Sequence, residues 1–249
     1  MTVLDFGLLV VAGFFAGLIG FVTGLASLVS YPALLAAGLP PVSANVTNTV
    51  ALVAAGVGAT ASSSAELAKD GKQLVRYAIY SALGGTTGAI LLLTTPDGSF
   101  EVIVPFLVAM AAVALLLQPN IRKLSGDKQF PTLYPLALFA VAIYGGYFGA
   151  GAGVIFLALA LICTADTFWR ASVLKSFFLG VANLIAAIIF SFSGQVNWLA
   201  ALALAIGCFV GGACGPPTVK VISPIVLRVG VGILGLGLAG WLGYQAFGR

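Results

Sequence analysis

The chain has 249 residues, of which 61% are apolar and 7% are charged, and it contains no histidine. A soluble domain usually has about a quarter of its residues charged, so the composition excludes an ordinary soluble protein and predicts an integral membrane protein. The missing histidine excludes a histidine triad, a histidine-ligated metal and a histidine proton relay. We expect a protein that is not an enzyme and that holds no metal and no cofactor. The net charge of +4 lies beside apolar runs, where it is typical of membrane topology, and it predicts no nucleic-acid partner.

Apolar runs, cut at glycine, proline and charged residues, predict ten hydrophobic segments in two sets of five. The first set is 4–20, 25–38, 42–63, 74–95 and 100–118, and the second is 133–148, 153–164, 170–193, 197–214 and 222–246. The first two segments of each set are shorter than the roughly 20 residues of a spanning helix, and they meet at glycine-rich breaks at 20–24 and 149–153. This pattern favours re-entrant hairpins, with tightly packed spanning helices as the alternative.

An offset of 127 residues aligns the two sets, which predicts an internal repeat. The offset carries Gly24 onto Gly151. It also places the motif Gly84-Gly85-Thr-Thr-Gly88 on residues 211–215, which read Gly-Gly-Ala-Cys-Gly, without a gap. A motif that recurs in equivalent segments is harder to attribute to chance than a single matching glycine.

Loop charges predict opposite orientations for the two sets, because Lys and Arg accumulate on the cytoplasmic side of a membrane. Lys72 and Arg76 place the end of the third segment inside, whereas Arg170 places the start of its counterpart inside. The sequence thus predicts an all-α polytopic membrane protein with two inverted repeats, 1–120 and 132–249, joined by a cytoplasmic linker at 121–131.

Inverted repeats with interrupted segments are typical of secondary transporters, whose sites lie near the membrane midplane between the repeats. A helix that begins inside the membrane presents unpaired N–H groups and the positive end of its dipole, which together can hold an anion. Glycine lets a ligand approach the backbone closely. Gly24, Gly149, Gly151 and Gly153 are therefore candidate backbone positions of the site.

Lys175 is the most informative single side chain, because a lysine this far into a span is costly unless it serves a pathway, forms a pair or snorkels. We weigh a ligand role against snorkelling of its long stem back to the membrane surface beside Arg170. The 127-residue offset makes Lys175 the equivalent of Asn48, and the two could converge on one central site. Asn183, two turns further along, is assigned to packing between helices.

Asn45, Thr47 and Asn48 enter the third segment and are the other candidate ligands. For the two asparagines, interhelical hydrogen bonding is the alternative. No acidic residue lies inside any predicted span, which disfavours a cation carrier and indicates an anionic substrate. A membrane potential that is negative inside favours anion export by about 2.3 kcal/mol per charge per 100 mV.

Four stretches of the chain, 42–52, 144–153, 170–175 and 194–198, resemble the sulfite exporter TauE/SafE family. The resemblance implies transport of sulfur-containing anions such as sulfite, sulfonates or sulfoacetate across a prokaryotic inner membrane. Two departures stand out. The first break has isolated glycines where many members have adjacent ones, and Ser176 follows the lysine where relatives often have Asn.

We therefore predict a secondary transporter, an exporter of a small sulfur-containing anion, that works by alternating access at a midplane site. Its expected partners are the small anionic substrate and the lipid bilayer, and a second copy of the chain in a homodimer is a candidate. A passive anion channel and a membrane assembly or redox subunit that moves no solute are the alternatives.

Overall fold

The computed structural model describes residues 2–68, 71–96, 98–124, 132–164, 166–218 and 224–247. Within these ranges the chain forms eleven helices and no strand, which confirms the predicted all-α fold of a polytopic membrane protein. The helices are α1 (Val3–Thr23), α2 (Ala26–Ala36), α3 (Pro41–Ser62), α4 (Ser64–Leu67), α5 (Gly71–Thr94), α6 (Ser99–Leu124), α7 (Tyr134–Tyr147), α8 (Ala152–Cys163), α9 (Phe168–Ser191), α10 (Trp198–Thr218) and α11 (Pro224–Phe247). Among the described residues, five helices are long and apolar enough to cross a membrane, namely α1, α3, α5, α9 and α10.

The first two helices of each half differ in length. Helices α2, α7 and α8 have 11, 14 and 12 residues and are too short to cross a membrane alone, as predicted. Helix α1 has 21 residues and is long enough, so the expected short first segment at 4–20 is wrong for this half. The re-entrant geometry stays a prediction.

The two helix breaks contain fewer residues than the predicted breaks at 20–24 and 149–153. Helix α1 runs through Gly20 and ends at Gly24, where a φ of +85° reverses the chain direction before α2. Between α7 and α8, Gly149 and Gly151 have φ of +76° and +75°, while Gly153 is already inside α8. Glycine adopts such left-handed backbone without the steric cost that a Cβ would bring.

Two further differences concern the connections in the first half. Helix α6 continues to Leu124, so the predicted linker at 121–131 begins inside a helix, and its part at 125–131 lies outside the described residues. The one-turn helix α4, which the sequence analysis did not predict, is joined to α9 by an ion pair of 2.9 Å between Glu66 and Arg170. Arg170 also pairs with Asp166 at 2.8 Å.

The two halves interlock rather than lie side by side. Helix α5 packs on α7 and α9 of the second half, and α10 packs on α1 and α3 of the first. Helices α3 and α9 pack on each other, as do α6 and α11. The 127-residue offset converts the two contacts of α5 into the two contacts of α10, and it maps the α3–α9 and α6–α11 contacts onto themselves. A duplicated unit would produce this relation. The inverted orientation and the bounds of the repeats stay predictions.

The duplicated glycine motif lies at these contacts. A Cβ on Gly85 would lie 2.6 Å from the carbonyl oxygen of Ala182, and one on Gly212 would lie 2.4 Å from that of Ala55. The offset relates Ala55 to Ala182, so equivalent glycines meet equivalent alanines of the opposite half. Backbones that approach this closely leave room for glycine only, which explains why the motif occurs twice.

Candidate functional site

A cavity of about 70 Å³ lies between the two halves, bounded by both helix breaks and by α3 and α9. A cavity needs only about 10–15 Å³ to hold one water molecule, so this one has room for a small solute. Five pairs of its lining residues are related by the 127-residue offset, which places the cavity where the halves meet. These pairs are Phe21 with Phe148, Ala26 with Gly153, Thr49 with Ser176, Leu52 with Leu179, and Gly56 with Asn183.

The beginnings of α2 and α8 both face this cavity. Ala26 and Gly153, from the first turns of the two helices, line it, and neither helix has a side chain that caps its N-terminus. A Cβ on Gly24 would lie 2.4 Å from the carbonyl carbon of Gly153, so the two breaks touch backbone to backbone. Uncapped N–H groups and two positive dipole ends therefore border one small space, an environment that favours an anion.

Lys175 is buried at this cavity with 1% of its surface exposed. Its Nζ donates hydrogen bonds to the carbonyl oxygens of Gly20 at 2.8 Å and Phe21 at 2.6 Å, near the C-terminal end of α1. It does not snorkel toward Arg170, which is paired with two carboxylates. An ammonium group has three N–H donors, so one remains for a ligand. Lys175 is the only charged side chain among the described lining residues.

Asn48 lies behind the cavity wall. Its Nδ2 donates to the Ser27 hydroxyl at 3.1 Å and its Oδ1 accepts from Ser30 at 2.5 Å, so both ends of the amide are used inside the protein. Ser27, unlike Asn48, lines the cavity. The structure thus brings Asn48 near the predicted site through Ser27 and does not place it beside Lys175 as a ligand.

Asn45 and Thr47 hold other parts of the fold together. Asn45 donates to the carbonyl oxygen of Tyr147 at 2.8 Å, near the end of α7, and Thr47 accepts from the backbone N–H of Asn197 at 3.0 Å. Of the predicted glycines, Gly24, Gly149 and Gly153 line the cavity, whereas Gly151 packs against Ala111 of α6. Lys175 and these three glycines are therefore the predicted site residues that the structure brings together.

Replacing Thr47 with valine tests this placement. The variant loses the acceptor for the Asn197 N–H just before α10, and we expect a stability loss of about 1 kcal/mol with anion affinity unchanged within about twofold. Thr86→Val is the matched control, because the Thr86 hydroxyl bonds only to Ala82 in its own helix. Thermal unfolding and ligand titration of the purified variants measure both quantities. If Thr47→Val lost most of its anion affinity at unchanged stability, Thr47 would be a ligand of the anion after all.

Four polar side chains that were not predicted as site residues also line the cavity, namely Ser27, Thr49, Ser176 and Asn183. Ser176 donates to the Ser172 carbonyl one turn earlier in α9. Asn183, which the sequence analysis assigned to packing, has no hydrogen-bond partner within the described parts of the chain. An asparagine in an otherwise apolar stretch was the available signal for Asn183, and the position after Lys175 was the signal for Ser176. Nothing in the sequence distinguishes Ser27 from other serines.

Broken helices that meet at a central cavity between interlocked halves are the architecture by which membrane transporters hold a solute. Comparison with known proteins gives the same class. The model of the family "Sulfite exporter TauE/SafE" matches residues 9–242, and the chain therefore belongs to the TauE/SafE family of membrane transporters.

Several curated bacterial proteins are similar over most of their length. The chain is 28% identical to the "Probable membrane transporter protein ORF9" of Sinorhizobium sp, a match that covers 90% of this chain and 89% of the relative. It is 27% identical to the "Probable membrane transporter protein YfcA" of Escherichia coli K12, over 90% and 86%. The "Probable membrane transporter protein YunE" of Bacillus subtilis is 26% identical over 85% and 88%. No solved structure matches the chain.

Proposed function

We propose that this membrane transporter exports a small sulfur-containing anion, such as sulfite, sulfoacetate or another organosulfonate, across the bacterial inner membrane by alternating access. The observation that carries the proposal is the buried ammonium group of Lys175, the only charged group among the described residues that line a central cavity bordered by two helix N-termini. A positive site of this kind stabilises an anion and repels a cation. The family description supports sulfur as the substrate element.

The described residues provide both a charged donor and neutral donors, which supports an anionic substrate. The Lys175 ammonium group donates two of its three N–H bonds to the carbonyl oxygens of Gly20 and Phe21, and these two hydrogen bonds hold it at the cavity wall. The Ser27 hydroxyl and the backbone N–H groups of Ala26 and Gly153, in the first turns of α2 and α8, add neutral donors. The site therefore combines the Lys175 ammonium group with neutral donors and two helix N-termini, a set that suits a small anion.

Export follows from the sign of the membrane potential, because an anion that leaves a cell with a negative interior moves downhill by about 2.3 kcal/mol per charge per 100 mV. This drive requires no coupling ion. A passive anion channel would use the same gradient, so saturation is the property that separates it from a carrier. A membrane subunit that moves no solute would show no flux at all.

Transport in proteoliposomes tests the proposal. We expect saturable, potential-driven flux of at least one anion from a panel of sulfite, thiosulfate, sulfoacetate and sulfate, with the preferred anion inhibiting the uptake of the others. Liposomes without protein are the control. Flux that rises linearly with concentration and unitary currents in a planar bilayer would identify a channel, and the absence of flux for the whole panel would overturn the proposal.

A further inference from the structure

A second polar group lies in the cavity at a distance from Lys175. Asn183 follows Lys175 by eight residues on the same helix, α9, which separates them by about 12 Å along the helix axis at 1.5 Å per residue. The lining between them includes Leu52, Leu179 and Gly180. The hydroxyls of Thr49 and Ser176 also line the cavity, but each donates to a carbonyl oxygen one turn earlier in its own helix. The cavity thus has a cationic end and a neutral polar end, joined by a wall that is mainly apolar.

Asn183 is the asparagine that lines the cavity, and its side chain is half-buried there. The other asparagines near the cavity, Asn45 and Asn48, donate to a carbonyl oxygen and to a serine hydroxyl, although the Asn45 Oδ1 is buried without a partner among the described residues. Asn183 has no such partner in the part of the chain that the structure describes. A polar side chain within an apolar membrane segment is costly unless its hydrogen bonds are made. Water or a bound solute in the cavity can make them.

The opposite half offers no competing group at the equivalent position. The 127-residue offset relates Asn183 to Gly56, which has no side chain and packs against Gly180, since a Cβ there would lie 2.8 Å from the Gly180 Cα. Helices α3 and α9 approach each other closely at this point. Of the two equivalent residues, Gly56 and Asn183, only Asn183 therefore has a side chain that can donate or accept a hydrogen bond. The two ends of the cavity therefore differ chemically, although the halves are related.

We propose that Asn183 is a specificity-determining residue that hydrogen-bonds the end of the substrate opposite its anionic group. The inference rests on the proposed function. The substrate that fits both ends is a short organic anion with an apolar spacer and a neutral hydrogen-bonding terminus, such as a hydroxyl or an amide, because an asparagine amide both donates and accepts. A bare inorganic oxyanion reaches the Lys175 end alone.

Matched ligand pairs test the inference. The probes are alkanesulfonates with two, three and four carbon atoms and their terminal hydroxyl derivatives, titrated into the purified protein. We expect at least one hydroxyl derivative to bind about tenfold more tightly than its alkyl partner. In Asn183→Leu, which keeps the approximate size of the side chain and removes its hydrogen bonds, this difference disappears while the affinity for alkyl ligands stays within about twofold. Asn183→Gln, with the amide displaced by one methylene, should shift the preferred chain length.

Methanesulfonate, which has no tail, separates the two hypotheses. Suppose that methanesulfonate binds to both the wild type and Asn183→Leu. If the wild type then shows no preference for hydroxyl ligands, or if Asn183→Leu keeps that preference, the inference about Asn183 is wrong and the proposed function stands. If no anion of the series or of the inorganic panel binds to the wild type, the proposed function fails and the inference fails with it. Thr86→Val, a loss of one hydroxyl away from the cavity, should behave as the wild type throughout.

Discussion

Replacing Lys175 with methionine is expected to lower the affinity for the transported anion by about 100-fold and to abolish measurable flux. A hydrogen bond to a charged group contributes up to about 3 kcal/mol, and each 1.4 kcal/mol corresponds to a factor of ten in affinity. No other charged side chain among the described lining residues can take over the role. Titration of the purified variant and flux in proteoliposomes measure the two effects.

The Lys175 prediction needs two companion variants, because the ammonium group also binds two carbonyl oxygens of α1. Methionine leaves these buried acceptors without a donor, at a cost of about 1–3 kcal/mol each. Lys175→Gln restores one amide donor without the charge, so it should be more stable than Lys175→Met and equally unable to bind the anion. Lys72→Met, the same change at an exposed position of α5, should alter neither property. Wild-type affinity in Lys175→Gln would show that the charge is not required.

Adding one methyl group at Gly85 or at Gly212 is expected to destabilise the protein by about 3 kcal/mol. The new Cβ atoms would lie 2.6 Å and 2.4 Å from carbonyl oxygens of Ala182 and Ala55, and backbone atoms cannot rotate away. The helices would have to separate by about 1 Å, which weakens the contacts along their whole length. Because the two positions make equivalent contacts, Gly85→Ala and Gly212→Ala should cause similar losses, measured as the midpoint of thermal unfolding in detergent.

Gly240→Ala provides the matched control for the glycine variants. A Cβ at Gly240, in α11, meets nothing within 4 Å. Alanine is favoured over glycine in an open helix position by about 1 kcal/mol, so this variant should be neutral or slightly stabilised. The same chemical change is thus expected to have opposite signs at two kinds of position. If all three variants unfold at the same temperature, Gly85 and Gly212 are not required for the close approach of the two halves.

Ten of the eleven described helices could be predicted from the sequence, because uncharged apolar runs separated by glycine, proline and charge have few alternatives in a membrane. The one-turn helix α4 carries no such run. Lys175 could be found in the same way, since a cation this deep stands out against its neighbours. The end of α1 could not be predicted from the sequence. A break was expected at Gly20, but this glycine lies inside α1. It packs close to Ala26, since a Cβ added to Gly20 would lie 2.7 Å from the Ala26 Cβ.

The partners of Asn45, Thr47 and Asn48 were also beyond the sequence. Residues on a helix are about 100° apart, so Asn45 and Thr47 point in nearly opposite directions. Which of them meets the cavity depends on how α3 is rotated about its axis, and that rotation is set by packing against α9 and α10. The free amide of Asn183 could not be predicted either, because a sequence does not state which polar groups find a partner.

The exchange of α5 and α10 between the halves has a consequence for how the protein is assembled. Helix α5 has its main neighbours in the second half and α10 has its main neighbours in the first. A fragment that ends after α6 would therefore leave the glycine surface of α5 facing lipid, and it would lack the helix that covers α1. We therefore expect that neither half folds on its own. The native interior of the first half should form during synthesis only after α7 to α10 have been inserted into the membrane.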